Sequence, residues 1–276
     1  MRISHYEDDD IYFHHAKNEE SASVSVPIKI SNTYSLWGFI NGSCRYIIEG
    51  NEYILEPGCI LLIRPSETHR VHIDNDCMYE RVIVNFTADI IKSIDPNLLL
   101  LQAYDERSLG NLNMYRPGEF SINPIKYIKS MCSLDISNDE RRLVVIANLI
   151  TLLNETRAIF GKRSNKYYIA NNDIDYNIIQ YINSNLFNPL SLDIISERFF
   201  ISKTHLERKF KLLTGTSVFE YITLKRLAEA QQLLLKGEKA THVSKICGYN
   251  EYSTFYRAYK KNFGVPPSDK VKLNNE

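Results

Sequence analysis

The sequence lacks most of what would mark a secreted, membrane-bound or catalytic chain. No two cysteines stand in CxxC spacing. The five present (Cys44, Cys59, Cys77, Cys132, Cys247) are scattered and odd in number, which predicts reduced, mostly buried thiols in a cytoplasm rather than a disulfide framework. No apolar run reaches the ~18 residues a bilayer span needs, so no membrane partner is expected. The N-terminus, MRISHYEDDD, is acidic and has no apolar core, which argues against a signal peptide. No nucleophile–base constellation is visible, so an enzyme is not the expected reading. There is also no net charge, but the two halves differ. Residues 1–172 hold 18 basic and 22 acidic side chains, a balance of −4, whereas residues 173–276 hold 15 and 11, a balance of +4. That asymmetry fits a C-terminal half that meets an anion.

What is present is ordinary globular material, 44% hydrophobic and 24% charged over 276 residues, long enough for two domains. Residues 1–25 show no periodicity, and His14-His15, beside an acidic tail, read as disordered surface. From Val24 to Phe86 short apolar runs alternate with turn signals: CRYIIE, Gly50-Asn51, EYILE, Pro57-Gly58, CILLIRP and ERVIVNF. Evenly spaced short strands predict a sandwich or small barrel. The period changes at Thr87. Helices are predicted over Asn123–Ser133 and Ser137–Phe160, the second opened by a Ser137/Glu140 capping box. Residues 161–172 read as a linker. From residue 173 onward everything is helix and turn.

That last stretch contains one pattern twice. Leu190–Gly215 reads LSLDIISERFFISKTHLERKFKLLTG and Ala240–Gly264 reads ATHVSKICGYNEYSTFYRAYKKNFG. Leu206 and Phe255, Phe210 and Tyr259, Lys211 and Lys260, and Gly215 and Gly264 share one offset of 49, whereas Ser196 and Ser244 are 48 apart. The second turn is therefore one residue longer, as duplicated helical units predict. In the first copy Ser191 and Ser202 are placed to cap two helices, Phe200-Ile201 forms the turn, and Leu206, Phe210 and Leu213 face inward. Lys203, Thr204, Glu207, Arg208 and Lys211 are left outward. In the second copy Gly248 sits at the turn and Ala240, Val243, Cys247, Phe255 and Tyr259 face inward. Tyr252, Ser253, Tyr256, Arg257 and Lys260 are left outward. The apolar helix Val218–Leu235 between the copies would touch both and fix their separation. The bland alternative is an ordinary helical surface with solvated charges. Doubling weighs against it, because two rigidly held helices can enter successive major grooves.

Gly248–Ser268, GYNEYSTFYRAYKKNFGVPPS, closely resembles the signature of the AraC/XylS family of bacterial transcription regulators. Ser202, Leu206, Phe210, Lys211 and Gly215, with Tyr221, Arg226, Ala230 and Leu233-Leu234 of the linking helix, match its first half. The resemblance spans about 100 residues and implies a double helix-turn-helix domain over 173–276. The family implies that such a domain binds asymmetric double-stranded promoter or operator sites, usually as an activator. Carried over by position, Lys203, Thr204, Glu207, Arg208, Tyr252, Ser253, Tyr256 and Arg257 are the base-reading candidates, with Lys211 and Lys260 on phosphates. Two departures stand out. Ser196 and Ser244 replace a small alanine, which a hydroxyl bond to the preceding turn would accommodate. Ala240 replaces a larger aliphatic and implies a second unit of lower intrinsic stability.

The N-terminal half is similar, less specifically, to the cupin-like β-barrel of many members, through Gly42, Gly50, Glu56-Pro57-Gly58, Ile63-Arg64-Pro65 and His69. The whole is thus expected to be α+β, with residues 1–160 a barrel plus a helical dimerisation segment. Metal-binding cupins carry His-x-His and Glu before Gly42. Here Ser31, Asn32, Thr33, Tyr34 and Trp37 stand there, so no metal and no cofactor is expected. Tyr34, Trp37, Tyr46, Arg64 and His69 are the candidates for an effector pocket, a sugar being one class it could take. Arg45 stands beside Tyr46, and alternation forbids both from pointing inward. The alternative is that the aromatics simply pack the barrel. The family further implies a homodimer through the stripe Leu143, Ile146, Ile150 and Leu153, and contact with RNA polymerase. Two functional readings remain: an effector-controlled regulator in a bacterial cytoplasm, or a constitutive one whose barrel only oligomerises. A metal-free cupin enzyme is the least supported third.

Overall fold

The computed structural model describes residues 2–18, 24–25, 28–30, 32–73, 78–132, 136–164 and 174–269. Ser31, Cys77 and residues 165–172 of the expected linker lie outside them. The N-terminal domain is built of β1 (Arg2–Glu7), β2 (Ile11–Asn18), β3 (Val24–Ser25), β4 (Lys29–Ile30), β5 (Tyr34–Asn41), β6 (Cys44–Ile48), β7 (Asn51–Leu55), β8 (Ile60–Ile63), β9 (Thr68–Ile73), β10 (Tyr79–Phe86) and β11 (Met114–Tyr115). They pair as two sheets, one in the order β1-β2-β10-β5-β8-β11 and the other β3-β9-β6-β7, with β4 also on β9.

Strand alternation sorts the side chains into two cores. From β5, Leu36 and Ile40 face outward from the barrel, joining Val82, Val84 and Phe86 of β10, whereas Phe39 joins Cys44, Tyr46, Leu61 and Tyr79 in the interior between the sheets. The outward core is covered by α1 (Ala88–Lys92), α2 (Gln102–Asp105), α3 (Pro124–Ser130) and α4 (Asn138–Ser164). Ser137 and Glu140 exchange hydrogen bonds at the start of α4, the expected capping box.

Two expectations need correction here. The N-terminal segment is not disordered surface. β1 and β2 form a hairpin added to the first sheet, His14 and His15 are buried, and His15 Nε2 lies 2.9 Å from Glu80 Oε1. The signal was weak because both faces of β2 are covered, which removes period-2 alternation. The helix expected to end at Phe160 runs on to Ser164. That helix is also long and apolar enough to cross a membrane by length and composition alone, although its scattered charges interrupt any continuous apolar run. Its Val145, Leu149, Leu152, Leu153, Ile159 and Phe160 are buried in the domain core, as in the core helix of a globular domain.

The C-terminal domain is helical: α5 (Ile174–Ser184), α6 (Leu192–Phe199), α7 (Lys203–Thr214), α8 (Val218–Leu235), α9 (Ala240–Ile246) and α10 (Tyr252–Phe263). Ile178, Ile179, Ile182, Ile195, Leu206 and Phe210 form one core with Val218, Tyr221 and Ile222 of α8. Val243, Cys247, Phe255 and Tyr259 form another with Leu227 and Ala230 of the same helix. Leu213, expected inside, is only half-buried, while Thr214 takes the buried place.

Candidate nucleic-acid interface and its link to the barrel

Each helix-turn-helix is locked by the same backbone device. In the first, Phe200 adopts a left-handed conformation, φ 54°, and Ile201 N–H donates to Ser196 O at 3.0 Å. In the second, Gly248, φ 77°, takes the equivalent place and Tyr249 N–H donates to Ser244 O at 3.0 Å. Both turns close orphan carbonyls of the support helix. The extra residue of the second turn is Asn250, which precedes the N-cap Glu251. Ser196 and Ser244 each bond the carbonyl three residues back, Asp193 O and Thr241 O, both at 3.0 Å, so neither hydroxyl is left unmet.

The copies differ at their helix starts. Ser191 accepts from Ile194 N–H and Ser202 from His205 N–H, capping α6 and α7. Neither Lys239 before α9 nor Glu251 before α10 makes a side-chain cap. A missing cap costs about 1 kcal/mol per helix. Ala240 is half-buried as the first residue of α9.

On α7, Lys203, Thr204, Arg208 and Lys211 are exposed and Glu207 is half-buried. Lys203 pairs with Asp193 of the support helix, and Arg208 Nη2 lies 3.5 Å from His205 Nδ1. On α10, Tyr252, Ser253, Arg257 and Lys260 are exposed and Tyr256 is half-buried against Tyr252, with ring centroids 6.3 Å apart. The structure thus collects the ten expected contact residues on two outward faces carried by α8. Phe200, 95% exposed at the turn beside α7, was expected only as a turn residue.

The expected effector set divides. Trp37, Tyr46 and His69 converge in the barrel interior: the indole lies edge-on to Tyr46 at 5.1 Å and to His69 at 5.5 Å between centroids. Sequence reasoning missed Tyr79 and Arg81 of β10, which join them. Tyr79 OH is 2.6 Å from Tyr46 OH, and the Arg81 guanidinium sits 4.9 Å from the Tyr79 ring and 5.9 Å from Trp37. Alternation along YERVIVNF, which puts Tyr79 and Arg81 on one face, carries that signal. Trp37 Nε1 is buried and unpartnered. Tyr34 and Arg64 belong elsewhere, because Tyr34 has the opposite parity to Trp37 on β5. Tyr34 donates to the Asp105 carboxylate, at 3.0 Å to Oδ2, and Arg64 donates to Tyr104 O and Asp105 O at α2. Burial, then the Asp105 charge, pushes the Tyr34 hydroxyl well above its ordinary range. Arg45 lies on the half-buried outer side, 3.4 Å from Glu52. Of the expected dimer stripe, Leu153 is fully buried in the barrel–helix core and cannot face a partner, whereas Leu143 is 66% exposed and Ile146 and Ile150 are half-buried.

Barrel and helices meet at a site that the sequence did not disclose. The β6–β7 turn is Glu49–Gly50, both at positive φ, the geometry of a type I′ hairpin. Its tip enters the helical domain. Glu49, fully buried, accepts from Lys225 Nζ at 3.1 Å, Asn183 Nδ2 at 2.9 Å and Tyr221 OH, and from Thr68 N–H and Oγ1 within the barrel. Lys225 also donates to Ser66 O. One buried carboxylate thus faces one buried ammonium with hydrogen bonds around both, the condition for such a pair to be tolerated. Burial, then the Glu49 charge, raises the Tyr221 hydroxyl far above its ordinary range. The neighbouring loop is braced by the buried Glu67–Arg107 pair, with Arg107 Nη2 2.8 Å from Glu67 Oε2. Burial pushes the Glu67 carboxyl up, but Arg107 and its hydrogen bonds bring it below the usual carboxylate value. Arg70 Nη2 to Leu212 O at 2.8 Å and Gln232 Nε2 to Asn32 O at 2.9 Å add further polar contacts.

Two family descriptions match the chain: an AraC-like ligand-binding domain over residues 25–108 and a helix-turn-helix domain over 195–272. MarA of Escherichia coli, the multiple antibiotic resistance protein, is 38% identical over 101 residues, covering 36% of this chain and 79% of that one. RhaS of Citrobacter koseri, a helix-turn-helix transcriptional activator, is 22% identical over 233 residues, 83% of this chain and 81% of that one. The structure of ToxT from Vibrio cholerae covers 95% of this chain and 96% of its own at 14% identity, with a TM-score of 0.40. The chain belongs to the AraC/XylS family of bacterial transcription regulators. It pairs an N-terminal ligand-binding domain with a C-terminal helix-turn-helix DNA-binding domain.

Proposed function

We propose that the protein is a promoter-binding activator that reads double-stranded DNA with α7 and α10, works in the bacterial cytoplasm as a homodimer, contacts RNA polymerase, and responds to a small polar effector. The observation that carries this reading is the pair of outward faces, Lys203–Lys211 and Tyr252–Lys260, built on equivalent turns and held by one helix. Arginine at the same place in both, Arg208 and Arg257, suits bidentate contact with guanine. The more basic α7 is assigned the larger share of affinity, and the tyrosines of α10 read by shape and apolar contact.

For the effector, Trp37, Tyr46, His69, Tyr79 and Arg81 are the assigned residues. The buried indole N–H is a donor that an effector's acceptor atom would satisfy. Tyr34 and Arg64 are left out. The effector signal would reach the helices through the Glu49 hairpin, provided it binds the two arrangements unequally. The constitutive reading is favoured by one observation: Tyr46 and Tyr79 are each 1% exposed, so the interior is well filled. No catalytic role is assigned to the chain. For the dimer, the stripe is moved to the outward line of α4, Leu143, Ala147 and Ile150.

Selection from random duplex DNA with the full chain tests the reading. Enrichment of a bipartite sequence is expected, and equal affinity for selected and scrambled duplexes would defeat it. A thermal-shift screen of the full chain against sugars and small acids separates the two control schemes. A hit abolished by Trp37→Ala supports the sensor, and no hit favours the constitutive protein.

A further inference from the structure

Among the described residues the two helix-turn-helix cores have only the helix α8 in common, which contributes Val218, Tyr221 and Ile222 to one and Leu227 and Ala230 to the other. Between those two sets lies Arg226, four residues from both Ile222 and Ala230 and so on the face of the helix that joins them. Its Nε donates to Leu186 O at 2.8 Å and its Nη2 to Asn188 O at 3.0 Å, both in the chain between α5 and α6. Its Nη1 donates to Gly248 O at 3.2 Å, in the turn of the second motif. One guanidinium therefore bonds to both units through backbone carbonyls. The approach is close: a Cβ on Gly248 would lie 3.0 Å from the Arg226 Cζ. Burial lowers the guanidinium from its ordinary value, yet its acceptors are neutral carbonyls, so what it gains there is geometry rather than charge neutralisation.

We infer that Arg226 is a positioning residue for DNA recognition: it fixes the angle between α7 and α10 and so sets the half-site spacing that the protein accepts. This rests on the DNA-reading function proposed above. Two helices reach successive major grooves only if their separation matches the ~34 Å repeat. The turn holding Gly248 carries α10 directly behind it, so releasing Gly248 O frees the second motif to pivot about α8. A planar fork with five donors can hold three carbonyls in fixed directions, and a lysine ammonium on a flexible stem cannot.

The test uses the full chain and the duplex recovered by selection, with 1, 2 and 3 base pairs inserted between the half-sites. The wild type is expected to lose affinity steeply with each insertion. Arg226→Ala is expected to bind an isolated half-site as the wild type does, to bind the bipartite site about 10- to 100-fold more weakly, a part of the roughly 10²- to 10⁴-fold by which linked sites gain over single ones, and to show a flattened spacing curve. Arg226→Lys keeps the charge and is expected to follow alanine; full rescue by lysine would make the role electrostatic and overturn the inference. Loss of half-site binding in step with the bipartite site would show a merely structural role, also against it. Arg226→Gln, with one amide in place of the fork, supplies the spacing curve should the alanine variant melt below the assay temperature. A wild-type curve in either variant overturns the inference while leaving DNA recognition standing. Failure of selection to enrich any sequence would instead defeat the DNA reading itself.

Discussion

At the scale of single residues, the two left-handed turn positions make the clearest contrast. Gly248 takes its φ of 77° at little cost, whereas Phe200 at φ 54° carries a Cβ against the following carbonyl. Its side chain is 95% exposed and gains little packing in return. Phe200→Gly is therefore expected to stabilise the first motif by about 1 kcal/mol. A rise in melting temperature of the full chain checks this, and a fall would mean that the ring is held by contacts within the molecule. Arg208 is the residue with the sharpest expected effect on binding. Arg208→Ala should weaken the selected site by roughly 1–3 kcal/mol and relax one base position, whereas a uniform loss across all sequences would place Arg208 on phosphate. Both positions were legible in the sequence, since the repeat aligns Phe200 with Gly248 and Arg208 with Arg257. Glu49 was not. It reads as an ordinary hairpin residue, and its partners Asn183, Tyr221 and Lys225 lie 134 to 176 residues away, a separation that no local pattern encodes.

At the scale of elements, legibility followed how many faces each one buries. The α7 and α10 stripes have one buried and one open face, so 3–4 spacing located Leu206, Phe210, Phe255 and Tyr259 correctly. β2 is covered on both faces, and α4 buries a broad face, so spacing misled at both. The stripe through Leu143, Ile146, Ile150 and Leu153 mixes residues from different sides of α4. Leu153 lies among Val145, Leu149 and Leu152 in the core. Two substitutions on this helix should therefore behave differently. Leu143→Arg is expected to leave the fold intact and yield a monomer by light scattering, whereas Leu153→Arg should collapse the helical cover of the barrel, since it buries an unpaired charge. A Leu143→Arg variant that remains dimeric would move the interface off α4.

At the scale of the whole molecule, the buried Glu49–Lys225 contact joins barrel and helices. Removing one partner of a buried pair costs about 3–5 kcal/mol, because the remaining charge stays desolvated. The full chain is expected to melt in a single calorimetric transition and Glu49→Gln in two, the barrel separating from the helical domain. A single unshifted transition in the variant would show that the hairpin adds nothing to the coupling. Charge distribution acts at the same scale. The C-terminal part carries the +4 balance and the N-terminal part −4, so salt should weaken DNA binding in proportion to the phosphates engaged.

The hairpin tip also bears on how such regulators can be recombined. Gly50 approaches so closely that a Cβ there would lie 2.4 Å from Ile179 Cδ1, at a φ of 83° that disfavours side chains in any case. A helical domain grafted onto this barrel from another regulator would have to bring an asparagine, a tyrosine and a lysine at the places of Asn183, Tyr221 and Lys225, with room for the glycine. Chimaeras that keep those matches should inherit the barrel's control, and chimaeras that lack them should carry two intact domains with no communication between them. A graft onto this barrel is thus expected to be limited by a keyed contact of a few side chains rather than by the fold of either domain.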